Sequence, residues 1–144
     1  MEFKIITPFT TNDTQSLLNE VNEFLYVHLD EFGDSKAAIG KAMEYAVNPK
    51  TGGFILCGFE QDELASAVVI NATGMDEYIP SNILVYIAVH KKYRGKGLGK
   101  VMMKEAMRNT SGGIALHVEP NNPAKFLYEK LGFTNKYLEM RYQP

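Results

Sequence analysis

Residues 83–108 join an apolar run, a glycine-rich turn and an amphipathic segment, and this succession constrains the fold more than any other feature. Residues 83–89 are almost wholly apolar, as in a strand covered on both faces. Then comes His90-Lys91-Lys92-Tyr93-Arg94-Gly95-Lys96-Gly97-Leu98-Gly99-Lys100, after which Leu98, Val101, Met102 and Ala106 recur at helical spacing. Gly95, Gly97 and Gly99 let the backbone turn sharply and approach a ligand closely. At a helix start the exposed N–H groups attract phosphate, and Lys91, Lys92, Arg94, Lys96 and Lys100 add charge there. Plain turn chemistry accounts for the same glycines, so the turn alone names no ligand. A Walker loop is excluded, because Gly95 precedes the Gly99-Lys100 pair by too few residues and Val101 follows it. A dinucleotide fingerprint requires GxGxxG early in a βαβ unit, whereas this turn is GxGxG and lies past mid-chain.

The remaining segments predict a mixed α/β (α+β) fold. Residues 3–7 read as a strand, and Thr11, Asn12 and Asp13 offer caps for a helix carrying Leu17, Leu18, Val21, Phe24, Leu25 and His28 on one stripe, stopped by Gly33. A second helix fits residues 35–47, with Ile39, Met43 and Ala46 on one face. Residues 54–59 and 64–72 form an antiparallel pair across a polar turn, and residues 74–81 are a loop. Residues 114–118 are a strand, and Asn122-Pro123 opens a short helix closed by Gly132. Residues 133–142 alternate as a final strand or hairpin would. The order βααβββαβαβ implies a central, mostly antiparallel sheet with one parallel pair around the glycine-rich helix, flanked by about four helices. We find no repeat or linker, so residues 1–144 are expected to be a single domain.

Composition narrows the function. The 144 residues are 45% apolar and 22% charged, which is globular usage. The one cysteine, Cys57, permits no intrachain disulfide and reads as an inert core residue. His28, on an apolar stripe, reads as core too, and the histidines and cysteine show no ligand spacing, so no metal is expected. No apolar run approaches the roughly 18 residues of a membrane span and the amino end lacks a signal pattern, so a cytoplasmic protein without membrane association is expected. The net charge of −2 conceals two halves. Residues 1–90 carry 4 Lys and Arg against 13 Asp and Glu, and residues 91–144 carry 11 against 4. The basic half would draw an anion and the acidic half a cation, although solvated faces of differing sign explain the same counts. Nucleic acid is not expected as a partner, because the basic stretch has no clustered aromatics beyond Tyr93 and the acidic half would repel a phosphate backbone.

Two motifs carry a family resemblance. Arg94-Gly95-Lys96-Gly97-Leu98-Gly99 fits the (Q/R)xxGx(G/A) signature of the GNAT superfamily of N-acetyltransferases. The stretch Asn122-Pro123-Ala124-Lys125-Phe126-Leu127-Tyr128-Glu129-Lys130-Leu131-Gly132-Phe133 resembles the superfamily's NPAxxLYExxGF stretch, at the usual distance. With the matching order of elements, the resemblance spans essentially the whole chain.

The resemblance implies that the fourth and fifth strands splay apart and that acetyl-CoA, as co-substrate, lies between them. The main chain of Ile87, Ala88 and Val89 would hold the pantetheine, as a strand added to the sheet. Arg94, Gly95, Lys96, Gly97, Leu98, Gly99 and Lys100 would hold the pyrophosphate, with Lys91 and Lys92 near the adenosine phosphate. Asn121 or Asn122 could touch the cofactor, and Asn122 caps the last helix. Tyr128 stands where the superfamily's general acid stands; packing alone would also place a tyrosine there. His117 matches the position of a general base in ribosomal-protein-type members, with Glu119 or a water chain as alternatives. The implied activity is acetyl transfer to a primary amine, either a small cationic amine or a protein amino group. A catalytically inactive CoA-binding sensor or interaction module is the alternative. Superfamily members are often dimers, so a homodimer is one form the resemblance suggests.

Overall fold

The computed structural model describes residues 1–144. Strands β1 (Glu2–Ile6), β2 (Gly53–Glu60), β3 (Glu63–Ala72), β4 (Asn82–Val89) and β5 (Ile114–Leu116) form one sheet in the order β1-β2-β3-β4-β5. Neighbours are antiparallel except β4 and β5, which are parallel, as expected for strands joined through a crossover helix. The helices are α1 (Gln15–His28), α2 (Lys36–Val47), α3 (Leu98–Arg108) and α4 (Ala124–Lys130). Ser35 starts α2 by accepting from the Ala38 N–H, and Asp13 accepts from Gln15 N at the start of α1.

Helices α1 and α2 bury Val21, Leu25, Ile39 and Ala46 against Ile55, Cys57, Ala67 and Val69 on one face of the sheet. Helices α3 and α4 bury Met102, Met103, Ala106 and Tyr128 against Leu56, Val68, Ile70 and Leu84 on the other. Strand β3 lies between the two layers, which is why its residues from Leu64 to Ile70 are all buried and its sequence does not alternate.

One irregularity shapes the site. In the ladder between β3 and β4, Val69 pairs with Tyr86 and Ile70 with Leu84, so Val85 opposes nothing. This bulge reverses the facing of the strand: Leu84 packs with α3 and α4, whereas Tyr86, two residues on, packs with α1 and α2. Pairing between β4 and β5 stops at Leu84, where the bulge begins to bend the strand. The splay is therefore present, and an extra residue in β4 accompanies it.

Several segments differ from the sequence reading. Helix α1 stops at His28, and a single 3-10 turn (Asp30–Phe32), entered through a left-handed Asp30 at φ 56°, fills the space before Gly33. Strand β5 ends at Leu116, so His117 and Val118 lie beyond it. Residues 133–144 form neither strand nor hairpin. Their alternation is real, but strand formation needs a neighbour for its N–H and C=O groups, and Tyr137, Leu138, Met140 and Tyr142 project into solvent.

Candidate active site

Helix α3 starts from a bed of unused amides. Gly95 and Gly97 have φ of 79° and 78°, a left-handed conformation that glycine adopts without strain, and open space surrounds the position of a Cβ at each. Gly99 serves a different purpose, because a Cβ there would lie 3.3 Å from Leu127 Cδ2 of α4. The first backbone bond of α3 runs from Val101 N to Gly97 O, and the N–H groups of Gly95, Lys96, Gly97, Leu98, Gly99 and Lys100 donate to no protein acceptor. A run of unsatisfied donors at a helix start is a seat for an anion. Lys96 and Lys100 form no ion pair and leave their charge beside it.

The end of β4 leads into this seat. Ser66 Oγ donates to Ala88 O at 2.8 Å, and His90 N donates to Ala65 O at 2.8 Å, so both groups point towards β3. By strand alternation the main-chain groups of Ile87 and Val89 point the other way, to the side that β5 has left. Arg94 Nε occupies the Val89 carbonyl at 3.0 Å. The N–H of Val89 and both groups of Ile87 remain for an extended guest.

Arg94 uses its other donors inside the protein as well. Nη1 donates to Asp30 Oδ2 at 2.9 Å and Nη2 to the His28 carbonyl at 2.7 Å. Lys91 Nζ stands 3.3 Å from the other oxygen of Asp30, while Lys92 Nζ and Tyr93 Oη both reach Glu63 Oε1. The Arg94 bond holds Asp30 below the usual carboxylate range, and the Lys92 bond does the same for Glu63. The two electrostatic halves of the sequence thus meet at the loop, which spends Lys91, Lys92 and Arg94 on carboxylates and leaves Lys96 and Lys100 unpaired. His28 also belongs here: its ring lies 4.2 Å from that of His90, and its Nδ1 accepts from Lys91 N at 3.4 Å. Burial and the nearby cations lower its pKa.

Tyr128 is 7% exposed, packs in the cluster that contains Leu84, and stands 5.9 Å from Phe133 between ring centres. Its hydroxyl makes no hydrogen bond within the protein, and burial pushes its pKa up to about 12, so the phenol stays protonated at neutral pH. Asn122 Oδ1 accepts from Ala124 N at 2.9 Å, which makes Asn122 the cap of α4, and Asn121 is exposed beside it. His117 lies off the strand with its side chain 56% exposed and Nδ1 4.0 Å from Glu139 Oε1 of the tail. Glu119 is exposed farther along the same segment. Cys57 is fully buried, and burial raises its thiol to about 12. Sequence reasoning missed one polar pair: the Tyr86 hydroxyl donates to Asp34 Oδ2 at 2.5 Å, and no motif marks either residue.

Comparisons with known proteins agree with this arrangement. Residues 51–135 match the family model described as acetyltransferase (GNAT) domain. No curated protein sequence matches the chain. The ribosomal-protein-S18-alanine N-acetyltransferase from Escherichia coli superposes with a TM-score of 0.68 at 18% identity, over 99% of this chain and 84% of that one. An aminoglycoside N-acetyltransferase in complex with CoA gives 0.69 at 16% identity, over 99% and 95%. The aminoglycoside 6'-N-acetyltransferase from Acinetobacter haemolyticus gives 0.67 at 14% identity, over 100% and 98%. At these identities the likeness is one of fold. The family model covers more than half of the sequence, and the chain belongs to the GNAT acetyltransferase family.

Proposed function

We propose that the protein is an acetyl-CoA-dependent N-acetyltransferase that acts on a primary amine. The observation that carries this reading is the continuity of the open β4 edge with the amide seat at α3. An extended, amide-bearing arm needs the first, a pyrophosphate needs the second, and acetyl-CoA presents them in that order. The Val89 N–H and both main-chain groups of Ile87 fit the arm, while Ala88 between them faces β3 and serves only as a spacer; the Gly95 to Lys100 amides fit the phosphates, with Lys96 and Lys100 supplying charge. Arg94 supports this seat through Val89 and Asp30. Asn121 and Asn122 stand at the start of α4, the helix that carries Tyr128.

Acetyl-CoA supplies a thioester carbonyl and a thiol leaving group. The chain's residues meet the remaining demands. An N–H on the open side of β4 supports charge that develops on the carbonyl oxygen. The Tyr128 phenol, protonated and without an internal partner, gives its proton to the departing sulfur. The attacking amine must be neutral, which requires a proton acceptor on the opposite side.

Thiol release from acetyl-CoA across a panel of amines and basic peptides tests the reading. Turnover with at least one amine is expected. CoA binding without turnover on any amine would instead favour a binding module that has lost catalysis.

A further inference from the structure

Acetyl transfer as proposed leaves the place of the amine and the destination of its proton unassigned. Tyr86 is the first residue beyond the Val85 bulge, 8% exposed, with its side chain on the α1 and α2 face. Tyr128 packs on the opposite face, so the two phenols stand on either side of β4 where β5 leaves it. The Tyr86 Oη–H is committed to Asp34 Oδ2 at 2.5 Å, which leaves the phenolic oxygen's lone pairs as acceptors. Asp34 lies between the 3-10 turn and α2, exposed to solvent, and its Oδ1 has no partner. Arg141 of the tail is paired with Glu139 and forms no ion pair with Asp34.

We propose that Tyr86 and Asp34 together seat the acceptor's amine as an ammonium and remove its proton. This inference rests on the acetyltransferase reading. An N–H proton passes to Tyr86 Oη while the Tyr86 proton passes to Asp34 Oδ2 and from there to solvent. The freed electron pair forms the C–N bond as the C–S bond breaks and sulfur takes the Tyr128 proton. The second N–H proton, lost as the amide forms, restores Tyr128 through water. One proton is released per acetyl group transferred, and Asp34 is where it leaves. The acceptor class that fits is a primary amine that is cationic at neutral pH and needs no second charge for this contact.

The test uses n-butylamine, with n-butanol as its uncharged counterpart, titrated into the CoA-loaded protein by calorimetry. Asp34→Asn and Tyr86→Phe are near-isosteric, and the CoA dissociation constant with the melting temperature reports whether each variant is intact. Butylamine should bind about tenfold more weakly to Asp34→Asn and several-fold more weakly to Tyr86→Phe, with CoA affinity unchanged. Butanol should bind no better to the parent than to either variant. Unchanged amine affinity in both variants, or no amine binding by the parent, overturns the seat while CoA binding upholds the cofactor site. A parent that binds no CoA overturns the acetyltransferase reading and this inference with it.

Discussion

Arg94 Nη1 lies 2.9 Å from Asp30 Oδ2, so the end of α1 is fastened to the loop from which α3 begins. The same guanidinium holds the Val89 carbonyl, the last of β4. One side chain thereby sets the spacing between the helix layer over one face of the sheet and the glycine-rich loop at its end. Arg94→Met and Asp30→Asn should each weaken CoA binding by several-fold, and the double variant should be little worse than either single one. Calorimetric titration decides it. Loss in Arg94→Met with no loss in Asp30→Asn would make Arg94 a phosphate ligand and not a positioning residue.

Two glycines in the loop should fail differently. At Gly97 an alanine meets no neighbour but must hold φ of 78°, costing about 1 kcal/mol of stability together with lost CoA affinity. At Gly99 an alanine would press on Leu127, so α4 and Tyr128 should move and thiol release should fall more than CoA affinity. Denaturant melts and CoA titrations of the two variants separate these outcomes.

The buried thiol and phenol predict the alkaline limit of stability. Cys57 and Tyr128 both have folded pKa values raised to about 12 by burial, and Tyr86 is raised by burial and by its bond to Asp34. The unfolded chain loses these protons first, so their contribution is complete below pH 9, shrinks as pH rises above it, and is gone beyond the folded values. Chemical denaturation between pH 8 and pH 12 should show the decline, and Cys57→Ala should flatten its early part. An identical slope in parent and Cys57→Ala would show that the thiol is not protected as described.

What the sequence disclosed follows from which interactions are local. The glycine turn, the Asn122 cap and the Val- and Ile-rich strand β3 are set by residues within a few positions, and each appears in the structure. Residues 83–89, read as covered on both faces, instead alternate between buried and half-buried, and it is β3 that is buried from Leu64 to Ile70. The tail is the opposite case. Leu138, Met140 and Tyr142 alternate as a strand would, but pairing depends on a distant edge that β5, only three residues long, does not extend to them. The family pattern puts His117 at a strand position, and the early end of β5 leaves it exposed beside Glu139. The ion pairs of Lys91, Lys92 and Arg94 join residues tens of positions apart, so the charge counts could indicate attraction between the halves but not which cations it consumes. Tyr86 and Asp34, 52 residues apart, were invisible for the same reason.

The most direct test of the account measures thiol release from acetyl-CoA by the parent and by Tyr128→Phe, with CoA affinity determined for both. Phenylalanine fills the same space, and the lost hydroxyl has no internal partner, so folding and CoA binding should be kept. Turnover should fall by about a hundredfold, the contribution of a positioned proton donor. Equal thiol release by the two proteins would contradict the assignment of Tyr128, and no release by the parent with any amine would contradict the proposed activity itself.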